Sequence, residues 1–172
     1  MAKKFSSLTK REKRIVILKD ALRWINTGVL DMTHGIVASI DIPDTAKPED
    51  QLQPVLQEIF KKKGSCSVCQ RGAILLSLVA RDNDFRVCDL ERSGIASEEG
   101  ASNNRLEKLF SRKQLAMMET AFEKDHNREF LGEALFQKCL LFSSFKKFKY
   151  SETNRAKAIL KNAIKNGGIF KP

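Results

Sequence analysis

Residues 66–80 read Cys66-Ser67-Val68-Cys69-Gln70-Arg71-Gly72-Ala73-Ile74-Leu75-Leu76-Ser77-Leu78-Val79-Ala80. From Ala73 onward only Ser77 is polar. A helix that is apolar on every side has to be wrapped by other elements, so this stretch predicts the central helix of a bundle. Ser67-Val68-Cys69-Gln70 fits the capping-box pattern, which sets the helix start near Ser67. Cys66 and Cys69 then fall at the helix N-terminus, as a chemical site or as an ordinary buried start.

The segments on either side supply the wrapping. Thr9-Lys10-Arg11-Glu12 is a second capping box and opens a helix to about Asn26. Its stripe is Ile15, Leu18, Leu22 and Ile25, widened by Ile17, Ala21 and Trp24, and Thr27-Gly28 ends it. Residues 29–47 hold one short strand or a short helix. Pro48-Glu49-Asp50 reads as a helix opening, and Gly64 as that helix's stop after Lys61-Lys62-Lys63. Asp82-Asn83-Asp84 turns the chain, residues 85–90 suit a short strand, and 91–104 form a polar loop. Ser111-Arg112-Lys113-Gln114 caps another helix. Residues 129–148 read as one helix with Leu131, Ala134, Leu135, Leu141, Phe142 and Phe145 inward. Ser151 begins the last helix, with Ala156, Ile159, Leu160 and Ala163 on its apolar face. Asn166-Gly167-Gly168 ends it, and Ile169-Phe170 folds back to pack. The expected fold is therefore mostly α: a single helical domain over residues 1–172 with six or seven helices around a central apolar one. Residues 1–8 are expected to be a flexible lead, and at most a minor strand pair is expected.

The formal charge is +10, and its distribution says more than its sum. Residues 1–24 carry eight basic and two acidic side chains, and residues 136–172 carry nine basic and one acidic, so 25–135 is net −4. If the two ends meet, they make one positive face suited to a polyanion: nucleic acid or a ribonucleoprotein first, an acidic protein surface second. The plainer account is a pair of charged, solvated terminal helices. The longest strongly apolar run is about eight residues, well short of the ~20 that a membrane-spanning helix needs. With no signal-peptide pattern at the start, the four cysteines suit reduced thiols and a cytoplasmic setting.

Three constellations bear on chemistry. Cys66-x-x-Cys69 has the spacing of a redox or zinc half-site, since a helix N-terminus stabilises a thiolate. A lysine-rich helix end precedes it where a redox fold wants a strand. A zinc site needs a second ligand pair, which Cys88 with His126 or His34 would supply only by tertiary coincidence. Buried structural cysteines are the simpler reading, with no cofactor. His126-Asn127-Arg128-Glu129 reads as a helix-breaking turn, and Asp82-Asn83-Asp84 lacks the glycine and terminal glutamate of a calcium loop. No Walker loop, dinucleotide fingerprint or nucleophile elbow is present, which favours a binding protein over an enzyme.

The third constellation is the C-terminal quarter. Lys146, Lys147 and Lys149 interleave with Phe145, Phe148 and Tyr150, which suits single-stranded nucleic acid. Lys157, Lys161 and Lys165 recur every fourth residue, so three ammonium groups share one helix face. Lys10, Arg11 and Arg14 on the first helix would extend that face. The plainer account makes Phe145 and Phe148 core residues and the lysines solubilising.

Two pieces resemble a pattern found in short uncharacterised bacterial and bacteriophage proteins. One is the C-x-x-C-x-x-G-A segment Cys66–Ala73. The other is the N-x-G-x-F-x-P ending Asn166–Pro172. The resemblance covers about fifteen residues and implies no activity. It points to a small accessory protein of phage or mobile-element origin, such as an anti-defence inhibitor or adaptor that binds an acidic protein surface.

Overall fold

The computed structural model describes residues 4–35, 38–81, 85–88, 101–124, 127–144 and 151–172. Among them are eight α-helices and a three-stranded sheet. The helices are α1 (Lys10–Thr27), α2 (Leu52–Ile59), α3 (Gln70–Val79), α4 (Ala101–Leu109), α5 (Arg112–Glu123), α6 (Arg128–Leu131), α7 (Glu133–Ser144) and α8 (Glu152–Lys165). The strands are β1 (Leu30–Met32), β2 (Ala38–Ile40) and β3 (Cys66–Val68). The domain is mostly helical, with a small sheet at one side.

The apolar stretch does lie at the centre. Every residue of α3 except Arg71 is buried, and α3 packs on α1, α4 and α5. Its one interior hydroxyl is satisfied locally: Ser77 Oγ donates to the Ala73 carbonyl at 2.8 Å. Arg81, just past the helix end, donates from Nε to Asp20 Oδ2 at 2.6 Å. That hydrogen bond ties α3 to α1 and compensates the burial of the Asp20 carboxylate.

The start of this stretch differs from the sequence expectation. Cys66, Ser67 and Val68 form β3, the middle strand of the sheet, parallel to β1 and antiparallel to β2. Leu30 and Ile40 both pair with Cys66, and Met32 and Ala38 both pair with Val68. The helix begins only at Gln70, and its N-cap, Cys69, makes no side-chain capping bond. Ser67 is therefore a strand residue. Pairing on both sides satisfies its backbone, and the capping pattern has no helix end to serve.

Other helix ends follow local chemistry. Thr9 and Glu12 form the reciprocal box, with Glu12 N–H donating to Thr9 Oγ1 at 3.2 Å and Thr9 N–H to Glu12 Oε2 at 2.8 Å. Ser111 and Ser151 cap α5 and α8 by accepting from the Gln114 and Asn154 amides. Helix α2 starts later than Pro48 suggests. Residues 48–50 form a turn in which Asp50 Oδ2 accepts from the Lys47 amide at 2.8 Å. The proline inside α2 is Pro54, in the first turn, where the amide it lacks would have had no helical partner.

Further differences from the expectations follow. Residues 101–104, read as loop, open α4; residues 91–100 lie outside the described part. Within the lead over residues 1–8, Phe5–Ser7 form one 3₁₀ turn, and residues 1–3 lie outside the described part. The single helix over 129–148 is broken at Gly132, whose φ of 76° takes a left-handed value open to glycine. The break resets the face of α7, so Phe136, Cys139 and Ser143 point inward while Ala134 and Leu141 are exposed. Where a strand over 85–90 was expected, Arg86 forms an isolated bridge to Gln51 and residues 87–88 are helical, while residues 89–90 lie outside the described part.

Candidate polyanion-binding face

The first and last long helices pack directly on each other. They run antiparallel, because the turn after α8 lies on the first turns of α1. Gly167 and Gly168 have φ of 71° and 86°, and their bare Cα atoms sit under two arginine side chains. A Cβ on Gly167 would come within 2.9 Å of Arg11 Nε, and one on Gly168 within 2.7 Å of Arg14 Cβ. Arg11 and Arg14 are thus laid across the end of α8. At the opposite end, α8 also contacts β1.

The tail fixes this arrangement. Asn162 donates from Nδ2 to the Lys171 carbonyl at 2.8 Å and accepts from the Lys171 amide at 2.9 Å. Phe170 is buried, meets Phe142 edge-on at 5.0 Å between ring centroids, and donates its amide to Gln114 Oε1 at 2.7 Å. The fold-back expected of Ile169-Phe170 takes this form.

Lys10, Arg11, Lys161 and Lys165 are exposed, and Arg14 and Lys157 are half-buried. No carboxylate of the described residues pairs with any of these six. The acidic groups of the two helices are engaged elsewhere. Glu12 caps Thr9, Asp20 binds Arg23 and Arg81, and Glu152 faces His34. The face therefore carries uncompensated positive charge in water. Lys146, Lys147 and Lys149, together with Phe145, Phe148 and Tyr150, lie outside the described residues.

Cys66 and Cys69 lie buried at the first residue of β3 and the N-cap of α3. Cys66 and Cys69 are 1% and 4% exposed, and burial pushes both thiols up to about 11. Desolvation overrides the helix-end effect, so the neutral thiol is favoured. Cys139 is likewise pushed up to about 11 by burial. Cys88 is half-buried, and His126 lies outside the described residues. Among the described residues no three of His, Cys, Asp and Glu gather as metal ligands would.

His34, weighed in the sequence only as a zinc ligand, has another place. Its Nδ1 lies 2.8 Å from Glu123 Oε2 and its Nε2 3.1 Å from Glu152 Oε1, and its ring stacks on Phe122 at 5.0 Å. Arg155 is buried beneath and donates from Nη1 to the Phe122 carbonyl at 2.6 Å. Burial pulls the Arg155 guanidinium below its ordinary value, while Glu152 and Glu123 hold it charged. The cluster pins the start of α8 to the end of α5. Its partners are scattered along the chain, so no local pattern announces it.

No helix among the described residues is long and apolar enough to cross a membrane. Comparison of the chain with protein-family profiles, curated proteins and solved structures finds no match.

Proposed function

We propose that this chain is a non-enzymatic binding protein that engages nucleic acid, bare or within a ribonucleoprotein, through the face formed by α1 and α8. One observation carries the reading. The two basic ends of the chain pack together, and Lys10, Arg11, Arg14, Lys157, Lys161 and Lys165 there have no described carboxylate to neutralise them. Lysine dominates α8, which favours point-charge contact with phosphate over bidentate reading of base edges. The lysines outside the described residues extend the basic run in sequence.

The test is anisotropy of a labelled single-stranded oligonucleotide titrated at rising salt. Binding is expected to weaken linearly on a log–log scale, by about 0.7 in slope for each phosphate neutralised. Replacing Lys161 and Lys165 by glutamate is expected to cost at least about tenfold in affinity at low salt. Absence of binding at low salt, or indifference to that double substitution, defeats the reading. A partner retained after nuclease treatment and lost in the same variant would favour the second reading. That reading is an inhibitor or adaptor, as in phage anti-defence, using this face on an acidic protein.

A further inference from the structure

A second feature shares no residue with the basic face. A cavity of about 370 Å³ lies among α3, α4, α5 and α6, lined by Arg71, Glu107, Arg112, Glu119, Asn127 and Phe130, with Asn104 and Ala116 completing it. Arg71 is its core. The side chain is only 11% exposed, yet its terminal nitrogens stand 3.6 Å from Glu107 and 4.0 Å from Glu119, beyond good hydrogen-bond distance, and its Nε has no partner. The neighbouring Gln70 is buried with both amide atoms unpartnered. Gln70 does not line the cavity, but Arg71 does, and a buried donor left unfilled there is costly and calls for a missing partner. Asn127, held at φ 68°, donates to Glu119 Oε2 at 3.1 Å. At the rim Phe130 is half exposed, and the Arg112 guanidinium lies 5.4 Å from its ring centroid.

The charges decide the ligand class. Among the described residues, two arginines and two glutamates give the lining no net charge. A phosphate or an ammonium would enter with a charge that the site does not balance, and would lose its hydration. What fits is an uncharged planar ring with acceptors on one edge and donors on the next, stacked on an aromatic wall. We propose that the cavity binds a nucleobase, and that guanine matches it best. Arg71 would meet the O6 and N7 acceptors, as arginine does in groove readout. A glutamate would accept from the N1–H and the N2 amine. Phe130 with Arg112 would supply the stacking surface.

The probe is guanosine, which carries no phosphate, titrated into the full chain by calorimetry up to about millimolar concentration. Saturable binding is expected, stronger than for uridine or adenosine, and unchanged between low and high salt because the ligand is neutral. Phe130→Ala and Arg112→Ala, both at exposed positions, are each expected to weaken guanosine about tenfold. No binding at that concentration, equal affinity for guanosine and uridine, or parental affinity in both variants would overturn the proposal. Guanosine binding that survives Lys161→Glu/Lys165→Glu, with oligonucleotide binding lost, assigns the two ligands to separate sites. The opposite failure removes the cavity and leaves the basic face standing.

Discussion

The basic face and the cavity both hold arginines, but they treat them in opposite ways. On the α1–α8 face Arg11 lies in the open, Arg14 is half-buried, and neither has an acidic partner among the described residues. In the cavity Arg71 is enclosed between Glu107 and Glu119, with hydrogen-bonding capacity left over. The face offers net charge, which acts at a distance and is screened by salt. The cavity offers unfilled donors and acceptors at short range with no net charge. On the readings proposed above, affinity for a polyanion would belong to the first, and selection of a neutral ring to the second.

The largest expected effect that would sharpen this contrast is on stability. Arg71→Met leaves the partly buried carboxylates of Glu107 and Glu119 without their shared cation, and should cost roughly 2 kcal/mol in a urea titration. A smaller loss would mean that water already shields them. Next is Gly168→Ala, which places a methyl 2.7 Å from Arg14 Cβ at a φ of 86°. It should cost about 1–2 kcal/mol and weaken oligonucleotide binding by displacing Arg14. An unchanged midpoint would show that this turn does not fix the arginine. Ser151→Ala removes the cap that accepts from the Asn154 amide and should cost about 1 kcal/mol. Lys161→Glu/Lys165→Glu should shift stability by no more than about 0.5 kcal/mol, because exposed lysines without partners support nothing in the fold.

The smallest effect is the one expected of the cysteines near neutral pH. Cys66, Cys69 and Cys139 should stay unlabelled by thiol reagents in the folded protein. Their raised values also set the direction of an alkaline effect. The folded thiols keep their protons up to about 11, while unfolded ones ionise near 9.0. The unfolded state is thus favoured progressively as pH climbs through that window. Thermal melts that stay level from pH 8 to 11 would contradict the burial of these thiols.

Much of the fold was legible because its signals are local. Thr9-x-x-Glu12, Ser111 and Ser151 announce helix starts through bonds three residues long, and Gly28 and Gly167 announce ends. The apolar run Ala73–Ala80 gave away the centre, since no surface helix tolerates it. What stayed hidden depends on distant partners. A three-residue strand shows no alternation, so β3 is defined only by β1 and β2, and Ser67 imitated a cap. Gly132 lies inside a run of good helix formers, and only its backbone angle reveals the break that turned Leu141 outward. The charge excess at both ends foretold a basic face, but the meeting of α1 with α8 is a tertiary fact. The cavity left no trace in the sequence. Its residues come from four elements, and their charges cancel in any count.

The pairing of α1 with α8 also has a consequence in time. Of these helices, the earliest in the chain, α1, is covered by the latest, α8. While everything between Thr27 and Glu152 is being made, the stripe of Ile17, Leu18, Ala21 and Ile25 waits without its final cover. Contacts so distant in sequence make folding late and cooperative, and waiting apolar surface invites aggregation. The cations of α1 repel other nascent copies during that interval. The charge that would hold a polyanion in the finished protein also guards the unfinished one.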